Sequence, residues 1–247
     1  MQNGDALSDV QVASGFMTTR WSVVARATAA TAESHAAIED LCRAYWFPVY
    51  TYVRKQGFDA ADAEDATQDF FAELMRSPFL RRADPDQGRF RSYLLTAVRR
   101  RLFNRRARST TLKRGGGTEV ISIDEALVEK RFQEANDPGL DPAQAYELGW
   151  ALTVLQRARE RLVAEQTEKG QLMEFERFEP FLAMRPAEGD YVALAAELNS
   201  TTNRVAVGIH RLGRRYRDLL REEVAQTVNS PGEIDEELAH LSRVLSR

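Results

Sequence analysis

The apolar positions of this chain recur at spacings of three and four residues along most of its length, which predicts helices almost everywhere. Over Ser34–Lys55, the residues Ile38, Leu41, Tyr45, Val49, Tyr52 and Val53 share a helical face, with a bend expected near Pro48 and a stop at Gly57. Asp59 can cap a second helix, Ala60–Arg76. Pro78 and the stretch 83–88 predict a loop, and Phe90 to about Arg108 is helical again. Three glycines at 115–117 mark a flexible linker, within which Ser122 and Glu125 have the spacing of a capping box for a short helix to about Gln133. After a break at Asp137–Pro142, the cap Asp141, Pro142 and Gln144 open a long helix to about Gln166. Helices near Gln171–Met184, at Asp190–Leu198 and at Thr201–Glu223 follow. Ser230, Pro231 and Glu233 open a tail helix with Ile234, Leu238, Leu241 and Leu245 on one face. Only Val120–Ile123 is strand-like. The expected fold class is all-α: two small helical domains joined by a linker, plus a C-terminal helix. The boundaries expected are a disordered N-terminus over 1–15, a first domain over 16–110, an acidic linker over 111–141, a second domain over 142–225 and a helical extension over 226–247.

Composition narrows the class. A chain of 247 residues with 43% hydrophobic and 29% charged residues can bury a core and suits an ordinary soluble protein. No apolar run approaches the ~20 residues of a membrane span. The opening residues, MQNGDALSDVQ, have neither the basic region nor the apolar core of a secretory signal. One cysteine, Cys42, excludes an internal disulfide, so a cytoplasmic location is expected. The histidines at 35, 210 and 240 are scattered and cannot form a metal cluster with it; no metal and no cofactor are expected.

Charge changes the picture more than composition does. Formal net charge is -3, yet it is laid out in blocks. Asp59–Glu73 holds six acids and no base, Arg76–Arg114 thirteen bases and two acids, and Glu119–Glu147 eight acids and two bases. Thr201–Arg221 carries six Arg (204, 211, 214, 215, 217 and 221) against Asp218 alone, and Glu222–His240 holds six acids with no Lys or Arg. Two basic patches separated by an acidic linker point to two contacts with one polyanion.

Each block has a local reading. Asp190–Leu198, a tight turn and the basic helix from Thr201 form a helix-turn-helix pattern, whose second helix enters a DNA major groove. On Ala60–Arg76, the acids Asp62, Asp65, Asp69 and Glu73 form one stripe, which suits a basic protein partner or is simply a solvated face. On the helix from Phe90, the side with Phe90, Tyr93, Leu94 and Ala97 is ringed by Arg91, Arg99, Arg100, Arg101, Arg105, Arg106 and Arg108. Rings that stack on bases beside guanidiniums that take phosphates suit single-stranded nucleic acid; the alternative is that Phe90 and Tyr93 are core. The glycines at 115–117 are not a phosphate loop, because no strand precedes them and no Gly-Lys-Ser/Thr follows. Cys42 reads as a small core residue and His210 as a DNA-facing or capping side chain. No nucleophile–base pair or paired-carboxylate site is recognisable, so no enzymatic activity is expected.

Leu41–Tyr50 (LCRAYWFPVY), Asp62–Phe71 (DAEDATQDFF) and Phe90–Leu95 (FRSYLL) together resemble conserved region two of the sigma-70 family of RNA polymerase sigma factors. Asp190–Leu220 resembles their region four. With two domains and a short linker, the chain is similar to the extracytoplasmic-function (ECF) type over roughly residues 20–225. The resemblance implies a protein that binds core polymerase and directs promoter-specific initiation by recognising and melting promoter DNA. It implies that Asp62, Asp65, Gln68, Asp69 and Glu73 meet the clamp of the polymerase large subunit. It assigns the loop Arg81–Arg89 to a flipped base of the minus-ten element, and Arg89, Phe90, Arg91, Tyr93, Arg99, Arg100, Asn104 and Arg105 to minus-ten DNA. The minus-thirty-five element falls to Thr201, Thr202, Asn203, Arg204, Val207, His210, Arg211, Arg214 and Arg215. The acidic linker would run through the RNA exit path. The partners implied are bacterial core polymerase and promoter DNA, with an anti-sigma factor or the chain's own C-terminal helix as regulator, and no membrane.

Two departures stand out. Many members have Gly at the turn, where this chain has Asn199, and Lys where it has Ala206. Gly208 sits inside the second helix, where glycine costs ~1 kcal/mol relative to alanine. A helix-turn-helix regulator acting without polymerase is the alternative function, and it needs neither the acidic stripe nor the Phe90–Arg108 helix. A nucleic-acid-processing enzyme is a second alternative, disfavoured by the lack of a metal cluster. The tail helix is expected to dock, either on a basic DNA-binding surface as a regulator or on the back of the second domain as a structural element.

Overall fold

The structure, a computed structural model, describes residues 32–76, 88–108, 125–228 and 230–246. The expectations for residues 1–15, the loop before Gly88, the glycines at 115–117 and the strand-like 120–123 lie outside these. Among the described residues the regular structure is helical, as the all-α expectation requires.

Helix α1 (Ala32–Lys55) continues through Pro48 and ends on Arg54 and Lys55, whose charges suit a helix C-terminus. Helix α2 (Ala60–Arg76) starts where expected: the Asp59 carboxylate accepts from the Asp62 amide at 2.8 Å. Helix α3 (Phe90–Arg108) and the short α4 (Glu125–Ala135) follow. Helix α5 (Pro142–Glu168) opens on the expected capping box, with Asp141 and Gln144 exchanging bonds at 2.8 and 3.0 Å.

The segment expected as one helix over Gln171–Met184 is divided. Helix α6 (Leu172–Phe178) gives way to a 3-10 turn over Glu179–Leu182, because Pro180 stands in its first turn. Helix α7 (Glu188–Glu197) and helix α8 (Thr202–Ala225) are joined by a turn. Asn199 there adopts φ 46°, while the amides of Asn199 and Ser200 bond back to the carbonyls of Ala196 and Ala195 at 3.3 and 2.8 Å. Asparagine is the residue after glycine most at ease in this left-handed cap. Thr201 then caps α8, accepting from the Arg204 amide at 3.3 Å.

A short 3-10 turn at Pro231–Glu233 leads into the tail helix α9 (Ile234–Leu245). Its buried face differs from expectation. Leu241 and Val244 are buried and Ile234 and Leu238 pack against the core, but Leu245 is exposed.

Two apolar clusters form, and α5 runs through both. The first joins α1, α2 and α3 to Phe132 of α4, to Tyr146, Trp150, Ala151 and Val154 of α5, and to Val224, Leu241 and Val244. The second joins the far half of α5, at Ala158 and Leu162, to Phe175, Phe178, Leu194, Ala195, Val205, Ile209, Leu212 and Leu219. The most extensive helix pairing is α1 with α5. It is close because Gly149 lies against Pro48: a Cβ there would stand 3.0 Å from the Pro48 Cα. The first cluster therefore joins α1, α2 and α3 to helices on the far side of the expected linker. The linker helix α4 also packs on α1, where Arg54 pairs with Glu129 at 2.8 Å and Phe132 meets Tyr50 edge-on at 6.1 Å.

Candidate nucleic-acid and protein interface

Helix α2 buries Ala63, Ala66, Thr67, Phe70, Phe71 and Leu74, with Phe71 stacked on Trp46 at 5.4 Å. That fixes which face is outward. Asp62, Asp65, Asp69 and Glu73 are all exposed, and Gln68 is half-buried at their edge. Glu73 pairs with Arg101 of α3, so the stripe meets the basic helix at one end. The acidic stripe is thus a continuous outward carboxylate face, which a cationic partner surface could neutralise.

Helix α3 is split between core and surface. Phe90, Leu94, Ala97, Val98 and Leu102 are buried, and Phe90 meets Tyr45 edge-on at 5.4 Å. Tyr93 is half-buried beside Phe90, with ring centroids 6.3 Å apart. Arg99, Arg100 and Asn104 are exposed; the side chain of Arg105 lies outside the described residues.

Two residues expected at minus-ten DNA are held inside. Phe90 is a core residue, 1% exposed, and Arg91 is only 4% exposed. The Arg91 Nε donates to Glu147 Oε2 at 3.0 Å, its guanidinium lies 4.3 Å over the Trp150 ring, and its Nη1 contacts Glu237 of the tail helix. Burial pulls this guanidinium below its ordinary value, and Glu147 opposes the shift. Arg89, half-buried, reaches the other carboxylate oxygen of Glu237 at 2.8 Å.

Sequence reading missed Phe103. It is 75% exposed, on the same helix as Arg99, Arg100 and Asn104. The signal was available: Phe103 falls off the stripe of Phe90, Leu94, Ala97, Val98 and Leu102, so it cannot share their core.

Helix α8 buries Val205, Ile209, Leu212 and Leu219 and turns the opposite face outward. Thr201, Thr202, Asn203, Arg204, Val207, His210, Arg211 and Arg214 are all exposed, so these expected contacts share one accessible surface. Arg215 does not join them freely. Its guanidinium grips Glu165 of α5 at 2.6 and 3.0 Å and Glu222 at 3.1 Å, and Glu165 holds it above its ordinary value. The far end of α8 is tied similarly. Glu223, 2% exposed, accepts from Arg157 at 3.2 Å and Arg161 at 3.0 Å, and Arg157 also binds Asp40 of α1 at 2.9 Å.

The family model of sigma-70 region 2 matches residues 41–111, which hold most of α1 and all of α2 and α3. Over those residues the chain is similar to sigma-70 region 2. No curated protein and no solved structure matches the chain. Among the described residues no helix is long and apolar enough to cross a membrane.

Proposed function

We propose that this chain is a sigma factor of the ECF type, which binds core RNA polymerase in the cytoplasm and directs initiation at particular promoters. The observation that carries the reading is the region 2 match over residues 41–111 on a helix, α2, whose four stripe acids all face solvent. In this reading α2 meets the polymerase clamp. The outer face of α3, with Arg99, Arg100, Asn104 and Phe103, receives the melted minus-ten strand. Helices α7 and α8 act as a region 4 helix-turn-helix, and Asn203 and Arg204, at the α8 N-terminus, meet base edges of the minus-thirty-five duplex. The work is binding and strand capture, without covalent chemistry.

The test is reconstitution with bacterial core polymerase. The chain should co-purify with core and yield discrete transcripts from genomic DNA. Asp65→Arg combined with Asp69→Arg should keep the helical circular dichroism and lose co-purification. Co-purification unchanged in that variant would remove α2 as the polymerase contact. Binding to duplex DNA with no affinity for core would favour a regulator acting alone.

A further inference from the structure

We propose that the tail helix α9 is an internal inhibitor, whose Glu237 carboxylate pairs with Arg89 and Arg91 until promoter DNA displaces it and takes Arg89. The inference rests on the region 2 reading, which assigns those two arginines to minus-ten DNA.

Glu237 is 0% exposed, an uncommon place for a carboxylate. One of its oxygens meets Arg89 Nη1 at 2.8 Å and the other meets Arg91. A guanidinium pairs with a carboxylate and with a phosphate alike, and here two guanidiniums each face one oxygen, so Glu237 stands where a backbone phosphate could pair. Arg91 is also covered by Trp150 and Glu147 of α5, which stay in place when α9 leaves, so the guanidinium that α9 would free for DNA is that of Arg89. Removing one partner from a buried ion pair leaves an uncompensated charge, so Arg89 would require another anion once α9 leaves, while Arg91 keeps Glu147.

Helix α9 stitches three elements together. His240 Nε2 lies 2.9 Å from Glu147 Oε2, the same oxygen that accepts from Arg91 of α3. Asp235 pairs with Arg221 of α8 at 2.6 Å, and Leu241 and Val244 enter the core shared with α5. The contact is nonetheless of a kind that can be released. Helix α9 has 12 residues, too few to be stable once undocked, and follows α8 by a short connection. Tethering places it at millimolar effective concentration over its site, enough to suppress weak binding but not a specific promoter complex.

The test compares the full chain, full-chain Glu237→Gln and a chain ending at Val228, which retains the buried Thr227 and Val228. The probe is a single-stranded deoxyoligonucleotide, with core polymerase co-purification measured on the same preparations. Both variants should bind the probe about tenfold or more tightly, as expected when a tethered competitor is removed. A peptide copying residues 230–246 should reverse the gain on the shortened chain, and the same peptide carrying Glu237→Gln should not. Hydrogen exchange on the unaltered chain gives a readout independent of whether the variants fold: α9 amides should lose protection when core and promoter DNA bind, while those of α5 keep theirs. Unchanged affinity in folded variants, or unchanged α9 protection in the promoter complex, overturns the proposal. Failure to co-purify with core instead overturns the sigma reading, whatever the tail does.

Discussion

Gly208 of α8 lies directly against the ring of Phe178: a Cβ at Gly208 would stand 2.6 Å from Phe178 Cε2 and 3.2 Å from Cζ. Phe178 is 3% exposed and part of the second apolar cluster, so the ring cannot simply swing into solvent. By helix propensity alone Gly208→Ala should stabilise α8 by ~1 kcal/mol. Overpacking a filled core costs ~1–3 kcal/mol, and that term is expected to win. Urea unfolding should show the variant less stable than the parent; a more stable variant would mean that Phe178 has room to yield.

Arg214 and Arg215 are neighbours with different duties. Arg214 is exposed on the outward face of α8, while Arg215 bridges to Glu165 and Glu222. Arg214→Ala should reduce the slope of log affinity against log salt by ~0.9 on duplex DNA and leave thermal stability unchanged. Arg215→Ala should lower stability by ~1 kcal/mol or less, since the side chain is partly exposed, and barely change the salt slope. Salt slopes equal to the parent's in both variants would show that neither meets phosphate.

Phe103 and Tyr93 separate stacking from packing. Phe103→Ala removes a ring that is 75% exposed, so folding stability should stay within ~0.5 kcal/mol of the parent. If a base stacks on it, affinity for a melted promoter fragment with core polymerase falls by ~1–3 kcal/mol. Tyr93→Ala, beside Phe90 and against the first cluster, should mainly lower thermal stability. Equal affinity of parent and Phe103→Ala for melted and duplex fragments removes Phe103 from the strand-binding surface.

Cys42 carries a pH signature. Burial, with Glu39 adding to it, pushes the thiol up from its ordinary 9.0 to about 12. Between those values the folded chain keeps a proton that the unfolded chain has lost, so more protons are bound in the native state and stability falls as pH rises. Cys42 alone should add a slope of about 1.4 kcal/mol per pH unit in that window. Urea midpoints at pH 9 to 11 should therefore fall more steeply for the parent than for Cys42→Ala. Parallel curves would show that the thiol ionises as readily in the folded chain as in the unfolded one.

The places where helices begin were written locally. Asp59 before α2, Asp141 with Gln144 before α5 and Thr201 before α8 each act within three residues of themselves, a range that sequence spacing displays directly. The acidic stripe was legible for the same reason: Ala63, Phe70 and Leu74 fix the core face of α2, and the opposite face must then be wet. What only the tertiary structure decided is which charges on the basic helices remain available. Spacing already puts Arg91 on the stripe of Leu94, Val98 and Leu102 and Arg99 off it, but it could not show that Arg91 is received there by Glu147, 56 residues away, by Trp150 and by Glu237. Periodicity orients a side chain about its own helix and carries no information about which distant element covers it. The docking of α9, the capture of Arg215 by Glu165 and the contact of Gly208 with Phe178 all depend on such distant neighbours, and so appear only once α5, α6, α8 and α9 are packed together.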